Sequence, residues 1–263
     1  MSSQTMTAGP APDADTTWRR LHDAATARYR ASGRFAWHFA RGKLGRDPVF
    51  RGMLERGDLS GRTRIVDIGS GQSLLASLFE SCNELVAAGA WPGRWPAPPR
   101  AVAYTGIELM PRDVERARGA LAGLKLQTSF VCADMREAAL PPCDLVVILD
   151  VLHYVDHAAQ EALLARVRDA LAPNGRLLLR IGDMASARGF AVSQWVDRVV
   201  TMVRGHTVPP TWGRSVAEWL ALLQRLGFAA QPVPMSEGTP FANVLLVADR
   251  AADRAAGAGA GRA

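Results

Sequence analysis

One acidic residue precedes two alternating glycines in a short stretch, which reads Asp67-Ile-Gly69-Ser70-Gly71-Gln72-Ser73. A β-branched run precedes it and apolar residues follow at helical spacing, so the pattern predicts a strand, a glycine-rich loop and a helix. In such a unit the helix N-terminus points N–H groups at a ligand, and the missing Cβ atoms of Gly69 and Gly71 permit a close approach. The stretch therefore predicts a nucleotide-type pocket.

The loop lacks the features that recognise a pyrophosphate. A dinucleotide fingerprint has a third glycine where this chain has Leu74, and that glycine allows the helix to pack close to the strand. Asp67, at the end of the strand, would repel a phosphate but can accept hydrogen bonds from a cation. The pattern thus disfavours a nicotinamide dehydrogenase.

Further polar residues follow the later strands. Glu108 comes directly after a second predicted strand, 101–107, and its carboxylate can accept hydrogen bonds from both hydroxyls of a ribose. Asp134 follows a third strand, 127–131. In a doubly wound sheet the ligand lies at the carboxyl ends of the strands, so we expect both carboxylates near the loop.

The motif from Asp67 to Ser73 resembles the first motif of the class I S-adenosylmethionine-dependent methyltransferases, with Ser73 in place of the last glycine. The resemblance covers about residues 62–249 and implies S-adenosylmethionine as the cofactor. It implies that the loop holds the methionine moiety and that Asp134 accepts the adenine amino group. The implied cofactor-binding residues are Asp67, Gly69, Ser70, Gly71, Gln72, Ser73, Glu108, Leu109, Asp134, Met135, Leu149 and Asp150.

The order of elements predicts an α/β fold. Five strands alternate with helices, which requires a parallel sheet with helices on both faces, and a closing pair, 228–233 and 243–247, adds an antiparallel strand. We expect a doubly wound, seven-stranded, mostly parallel, Rossmann-like sheet whose last strand is antiparallel. The methyltransferase domain would span 61–250, preceded by a helical lid at 17–60 and flanked by mobile ends at 1–16 and 251–263.

Aromatic residues mark the expected acceptor pocket. Phe35, Trp37, His38 and Phe39 either form a lid over the cofactor or fill the core, and the sequence leaves both alternatives open. Apolar, aromatic walls suit a small organic acceptor. The other residues assigned to these walls belong to a predicted helix at 190–203 and the segment after it: Trp195, Pro209, Pro210 and Trp212.

The segment after the fourth strand, 144–149, contains the candidate catalytic residues. His153 could act as a general base with a pKa near neutrality, or only cap or pack a helix, and Tyr154 could shape the acceptor pocket. By the family resemblance, this segment lacks the Asn/Asp-Pro-Pro-aromatic signature of enzymes that methylate exocyclic amines. Cys143 lies at the wrong end of its strand for a pyrimidine C5-methyltransferase. Both absences count against a nucleic-acid substrate.

Composition describes an ordinary globular domain. Of the 263 residues, 48% are apolar and 21% charged, which is enough for a full core. Without a signal peptide or a run of about 18 apolar residues, the sequence predicts a cytoplasmic protein with no membrane insertion. The three cysteines, Cys82, Cys132 and Cys143, lack Cys-x-x-Cys spacing, so we expect reduced, mostly buried thiols and no metal site.

Charge is concentrated near the N-terminus. Residues 18–64 contain eleven arginines and one lysine against four carboxylates, a net charge of +8. This flank either attracts an acidic partner or is a solvated face. With a pI of 9.9, an RNA methyltransferase remains an alternative without a recognisable RNA-binding module, and a non-catalytic S-adenosylmethionine-binding protein is another.

A narrower resemblance concerns two segments, 33–44 and 238–244. Both look like parts of bacterial methyltransferases encoded with aryl polyene or fatty-acid-type pigment machinery. This resemblance implies an aryl acceptor, either free or tethered to an acyl carrier protein whose acidic surface would suit the basic flank.

Overall fold

The computed structural model describes residues 13–182, 212–235 and 243–251. The chain divides into two compact units, one of residues 1–63 and 70–132 and the other of residues 64–69 and 133–263. The predicted helix at 190–203, with Trp195, Pro209 and Pro210, lies outside the described residues. So does most of the segment at 238–244.

The first unit begins with helices. They are α1 (Ala14–Ala27), a 3-10 helix (Arg28–Ser32), α2 (Arg34–Arg46) and α3 (Pro48–Glu55). Asp13 caps α1 by accepting a hydrogen bond from the Thr16 N–H. Gly33, with φ +96°, separates the 3-10 helix from α2. Asp47 caps α3, and Pro48 occupies its first turn, where a missing N–H costs no hydrogen bond.

The rest of the first unit is a parallel strand pair with its helices. The strands are β2 (Ala103–Glu108) and β3 (Gln127–Cys132), which pair in register so that Glu108 lies beside Cys132. Helix α4 (Leu74–Ala87) follows the glycine-rich loop and α5 (Pro111–Leu121) follows β2. The first nine residues of α4 are all buried, as expected of a helix that is enclosed rather than amphipathic.

The second unit contains β1 (Arg64–Ile68), β4 (Cys143–Leu149), β5 (Leu171–Gly182), β6 (Phe228–Pro234) and β7 (Asn243–Arg250). Their order is β1-β4-β5-β7-β6. Strands β1, β4 and β5 are parallel, and β7 is antiparallel to both β5 and β6. The centre of β4 is 0% exposed from Leu145 to Ile148, which is typical of a parallel strand covered on both faces.

Two helices of the second unit begin at well-formed caps. Asp156 caps α6 (His157–Ala170) by accepting a hydrogen bond from the Ala159 N–H. Ser215 and Glu218, whose spacing in the sequence predicts a capping box, form one at the start of α7 (Val216–Arg225).

The predicted fold class is confirmed, since the seven strands form a mixed, Rossmann-like sheet whose last strand is antiparallel. One boundary differs from the prediction. The sequence Pro173-Asn174-Gly175 predicts a turn before the fifth strand, but it lies inside β5, which already pairs at Leu171 with Cys143 and resumes its register at Arg176. Asn174, with φ +61°, lies within this irregularity, so the Pro-Asn-Gly sequence produces a bulge in the strand.

Cys82 and Cys143 are buried, Cys132 is exposed, and all three thiols are free. Cys143 is the first residue of β4, as predicted. Within the described ranges, no helix combines the length and apolarity that crossing a bilayer requires. The same residues contain no cluster of three or more His, Cys, Asp or Glu side chains suited to a metal ion.

Candidate cofactor and acceptor site

In the first unit, the glycine-rich loop is held by its own backbone. The Ser70 N–H donates to the Ile107 carbonyl at 3.1 Å, and the Ser73 N–H donates to the Ser70 carbonyl at 2.8 Å. Gly71 has φ +53° and Ser73 has φ +56°. Ser73 thus occupies a left-handed conformation in which a glycine costs less, which explains the glycine of the family motif at this position.

Two hydroxyl groups fill the space beside β2. The Ser73 Oγ donates to the Ser70 Oγ at 3.2 Å. A Cβ atom on Gly106 would lie 2.7 Å from the Ser73 Oγ and 2.8 Å from the Ser70 Oγ. Gly106 is therefore a glycine because the loop serines pack against its backbone.

Glu108 binds the loop through its side chain. One carboxylate oxygen accepts a hydrogen bond from the Gly71 N–H at 2.8 Å, and the other accepts one from the Met110 N–H at 2.9 Å. Since each oxygen can accept a second hydrogen bond, the carboxylate is oriented and still able to bind two hydroxyls. The adjacent Leu109 is 61% exposed.

Gln72 connects the loop to two distant parts of the first unit. Its carbonyl accepts a hydrogen bond of 2.7 Å from the hydroxyl of the fully buried Tyr29. Its side-chain amide donates to Asp113 at 3.3 Å, while its Oε1 is buried without a hydrogen-bond partner among the described residues. Sequence analysis missed Tyr29 and Asp113, because neither belongs to a local motif.

The loop residues of the first unit fit an adenosyl cofactor. A Cβ atom on Gly71 would meet nothing within 4 Å, so open space lies beside the loop. The Glu108 carboxylate is held in place, and the orphaned Gln72 Oε1 is an acceptor of the kind that an ammonium group needs. These residues offer acceptors and no cation, which suits a positively charged sulfonium.

In the second unit, Asp67 is the last but one residue of β1 and only 5% exposed, and Gly69, which follows the strand, has φ +72°. A Cβ atom on Gly69 would lie 2.5 Å from Cγ1 of Val151. The first glycine of the motif is therefore required by the segment that follows β4 as well as by its backbone conformation.

Asp134 forms an ion pair with a neighbour in sequence. Its carboxylate accepts hydrogen bonds from the Arg136 backbone N–H at 2.8 Å and from the Arg136 guanidinium at 2.6 and 3.0 Å. The hydrogen bonds from Arg136 hold the pKa of Asp134 below its ordinary value. Met135 is half-buried, and its carbonyl accepts a hydrogen bond from Arg166 at 3.3 Å.

Asp150, directly after Leu149, is bound by an arginine of the next strand. The Arg180 Nε donates to its carboxylate at 2.8 Å, and a second guanidinium nitrogen donates to the other oxygen. Arg180 is 2% exposed, and Asp150 has φ +61°. This buried pair was missed from the sequence, although an arginine inside the apolar run 177–181 was a signal for it.

His153 lies three residues beyond Asp150, in a 3-10 turn, Leu152–Tyr154. The side chain is half-buried and its Nε2 is shielded from solvent. Burial lowers the pKa of His153, and the negative charge of Asp150 opposes that shift only in part. The ring lies against Tyr154, with centroids 4.1 Å apart, and the His153 carbonyl accepts a hydrogen bond from the Trp212 N–H at 2.8 Å.

The aromatic segment of α2 is mostly accessible. Phe35 is 58% exposed and stacks on Phe39 with centroids 6.3 Å apart. Trp37 is half-buried and His38 is exposed. Within the first unit, Phe35 also lies under the guanidinium of Arg116, 4.5 Å from its ring centroid. Phe35 therefore does not fill the core. That this aromatic segment forms a lid over the cofactor stays a prediction.

Comparison with known proteins finds matches in sequence and in fold. The model of an O-methyltransferase domain matches residues 102–229. A solved magnesium protoporphyrin IX methyltransferase from Synechocystis PCC 6803 with bound SAH shares the fold, with a TM-score of 0.53 and 19% identity over 90% of this chain and 100% of that one. By these matches the chain resembles the class I S-adenosylmethionine-dependent methyltransferases in the sequence of residues 102–229 and in its fold. The resemblance stated from the motif is confirmed.

Two sequence relatives are named as O-methyltransferases. The chain is 26% identical over 198 residues to 3-amino-4-hydroxybenzoate 4-O-methyltransferase of Streptomyces cremeus, covering 74% of this chain and 48% of that protein. It is 32% identical over 178 residues to acetylserotonin O-methyltransferase of Mus musculus, covering 65% of this chain and 41% of that protein. The chain thus spans less than half the length of these two relatives.

Proposed function

We propose that this protein transfers the methyl group of S-adenosylmethionine to a hydroxyl oxygen of a small aromatic acceptor. Both relatives described above are named as O-methyltransferases of small hydroxylated aromatic compounds. The observation in the chain that carries the proposal is His153, a shielded imidazole with a lowered pKa directly after β4. Such an imidazole is neutral near pH 7 and can accept the proton of a phenol.

S-adenosylmethionine, when bound, supplies a methyl group on a positively charged sulfur. In the proposed reaction the acceptor oxygen forms its bond to the methyl carbon as the carbon–sulfur bond breaks, and His153 takes the hydroxyl proton. The sulfur becomes neutral and keeps the bonding electrons. Because such a displacement depends mainly on positioning, a single base together with well-placed walls is sufficient.

For the cofactor we propose the residues implied by the motif. Glu108 would bind the ribose hydroxyls, and Asp134 would accept the adenine amino group. To bind adenine in this way, the Asp134 carboxylate must share or give up its ion pair with Arg136, whose side chain is 58% exposed. Asp67 and the loop from Gly69 to Ser73 would hold the methionine moiety.

For the finer identity of the acceptor, we propose what the sequence predicts. An aryl head group fits both the relatives and the exposed aromatic residues of α2. Tethering to an acyl carrier protein stays a prediction, supported by the excess of arginine between residues 18 and 64. In both cases the accepting atom is proposed to be oxygen.

Incubation of the full chain with methyl-labelled S-adenosylmethionine and a panel of hydroxybenzoates and phenols tests the proposal. Mass spectrometry of the products should show the label on a hydroxyl oxygen. Matched acceptors carrying an amine or a methoxy group in place of that hydroxyl should stay unlabelled.

Two results would contradict the proposal. Cofactor binding without turnover of the panel or of a host extract, with and without carrier proteins, would favour a non-catalytic binding protein. Label recovered in RNA, together with binding that weakens steeply as salt rises, would favour the RNA alternative.

A further inference from the structure

The first unit contains a surface cavity that none of the methyltransferase residues line. It lies between α1, the 3-10 helix and α2, and has a volume of about 570 Å³. Its walls are Asp23, Ala27, Arg30, Trp37 and Arg41. Three of these five side chains are charged and one is an indole, so the cavity combines ionic groups with an apolar surface.

Two guanidinium groups accompany the indole. The guanidinium carbon of Arg30 lies 5.2 Å from the Trp37 ring centroid, and that of Arg41 lies 5.7 Å from it. Contact with an aromatic ring stabilises a guanidinium group without using its N–H donors. Both cations are therefore held at the cavity with donors still available.

The charges of the cavity do not cancel. Arg41 donates to the Asp23 carboxylate at 3.1 Å, and His22 lies 3.2 Å from the same oxygen. Among the described residues, Arg30 takes part in no ion pair, and its guanidinium contacts the Trp37 ring. The ion pair of Asp23 and Arg41 thus leaves one net positive charge, that of Arg30, at the cavity.

Trp37 adds an unsatisfied donor. Its Nε1 is buried and has no hydrogen-bond partner in the described part of the chain. A buried N–H that donates to nothing costs free energy, and such a group in a native protein calls for an acceptor. An oxyanion beside two guanidinium groups is an acceptor of the required chemistry.

We propose that this cavity is a binding site for a small monocarboxylate with an apolar body. One negative charge balances Arg30, and the carboxylate oxygens accept hydrogen bonds from the guanidinium groups and from the Trp37 Nε1. The apolar body packs on the indole and on the methyl group of Ala27. A dianionic phosphate fits less well, because Asp23 would repel its second charge.

Sodium benzoate is the probe, titrated into the full chain without cofactor. Calorimetry should show saturable binding, and the Trp37 indole N–H resonance, identified by its loss in Trp37→Phe, should move downfield as benzoate is added. Acetate, which lacks the ring, and inorganic phosphate should both bind more weakly. Because no methyl transfer is measured, the result does not depend on the proposed function.

Three variants sharpen the test. Trp37→Phe keeps an aromatic ring but removes the donor, and we expect benzoate to bind about tenfold more weakly. Arg30→Gln removes the unbalanced charge and should have a similar effect, about tenfold. Arg20→Gln changes an exposed arginine of α1 outside the cavity, so its affinity should stay within about twofold of the wild type.

The proposal is overturned if benzoate fails to move the Trp37 resonance, or if Arg30→Gln binds benzoate as tightly as Arg20→Gln does. Equal affinity for benzoate and acetate would show that the indole does not contribute an apolar surface. Tighter binding of phosphate than of benzoate would contradict the monocarboxylate assignment. Arg30 is exposed, so its variant should fold even if Trp37→Phe does not.

Discussion

The glycine-rich loop of the first unit and the segment after β4 in the second unit are stabilised in different ways. Hydrogen bonds from backbone and hydroxyl groups hold residues 70–73. A charged group, the Glu108 carboxylate, also contacts the loop by accepting a hydrogen bond from the Gly71 N–H. A buried ion pair between Asp150 and Arg180 holds the segment that contains His153. The loop thus offers acceptors of the kind that a cationic cofactor needs, whereas burial within the segment lowers the pKa of the His153 imidazole.

This difference assigns separate tasks to the two regions. Changes at the loop should alter cofactor affinity and leave the chemical step intact. Changes after β4 should alter the chemical step and leave cofactor affinity intact. The following variants test whether cofactor affinity and the chemical step can be changed separately.

The largest effect is expected for His153→Gln, which removes the proposed base and keeps a polar side chain. Loss of general-base catalysis should lower kcat by about a hundredfold or more. Affinity for S-adenosylhomocysteine, measured by calorimetry, should not change. A variant with wild-type kcat would show that His153 is only a packing residue.

A smaller effect, on stability, is expected for Arg180→Met. It leaves the Asp150 carboxylate without its partner, and breaking a buried pair costs about 3–5 kcal/mol. Because the Asp150 side chain is 35% exposed, we expect a loss of about 2 kcal/mol in the free energy of unfolding, measured in urea. Adding Asp150→Asn to this variant should recover part of the loss, since the unpaired charge is then gone.

Tyr29→Phe should weaken cofactor binding modestly, because it removes the hydrogen bond to the Gln72 carbonyl. One hydrogen bond contributes about 0.5–1.5 kcal/mol, so affinity for S-adenosylhomocysteine should fall by about two- to tenfold while kcat is kept. Tyr104→Phe is the matched control, because Tyr104 is equally buried in the same unit. Equal losses in both variants would attribute the effect to packing.

The smallest effect is expected in the pH dependence of methyl-transfer activity. In the proposed reaction the neutral form of His153 is the base, and burial lowers its pKa from the ordinary value of 6.5. Activity should therefore persist as pH falls through 6.5 and decline only below it. Asp150→Asn removes a charge that raises this pKa, so the acidic limb should move further down. A shift to higher pH would contradict the assignment.

Most of the fold was predictable from local patterns. Strand and helix periodicity, the two glycines and the capping residues Asp156 and Ser215 specify elements whose partners are close in sequence. The bulge in β5 was not predictable, because Pro-Asn-Gly has the same signature in a bulge as in a turn. Only the pairing of Leu171 with Cys143 distinguishes the two.

The candidate site likewise contains residues that the sequence predicts and residues that it does not predict. The loop and Glu108 were found because a motif and a strand end mark them. Tyr29 contacts Gln72 from 43 residues away, and Arg180 binds Asp150 from 30 residues away. Neither contact has a spacing rule, since both depend on how helices and strands pack. The pairing of Asp134 with Arg136 is local, but a carboxylate beside an arginine does not reveal from sequence that the two will bind each other.

The most direct test of the central claim is calorimetric titration of S-adenosylhomocysteine into the wild type and Glu108→Ala. The account predicts saturable binding to the wild type and a loss of about a hundredfold in the variant, because two charge-assisted hydrogen bonds to the ribose disappear. Glu115→Ala, an exposed carboxylate on α5, should bind as the wild type does. Unchanged affinity in Glu108→Ala would contradict the account.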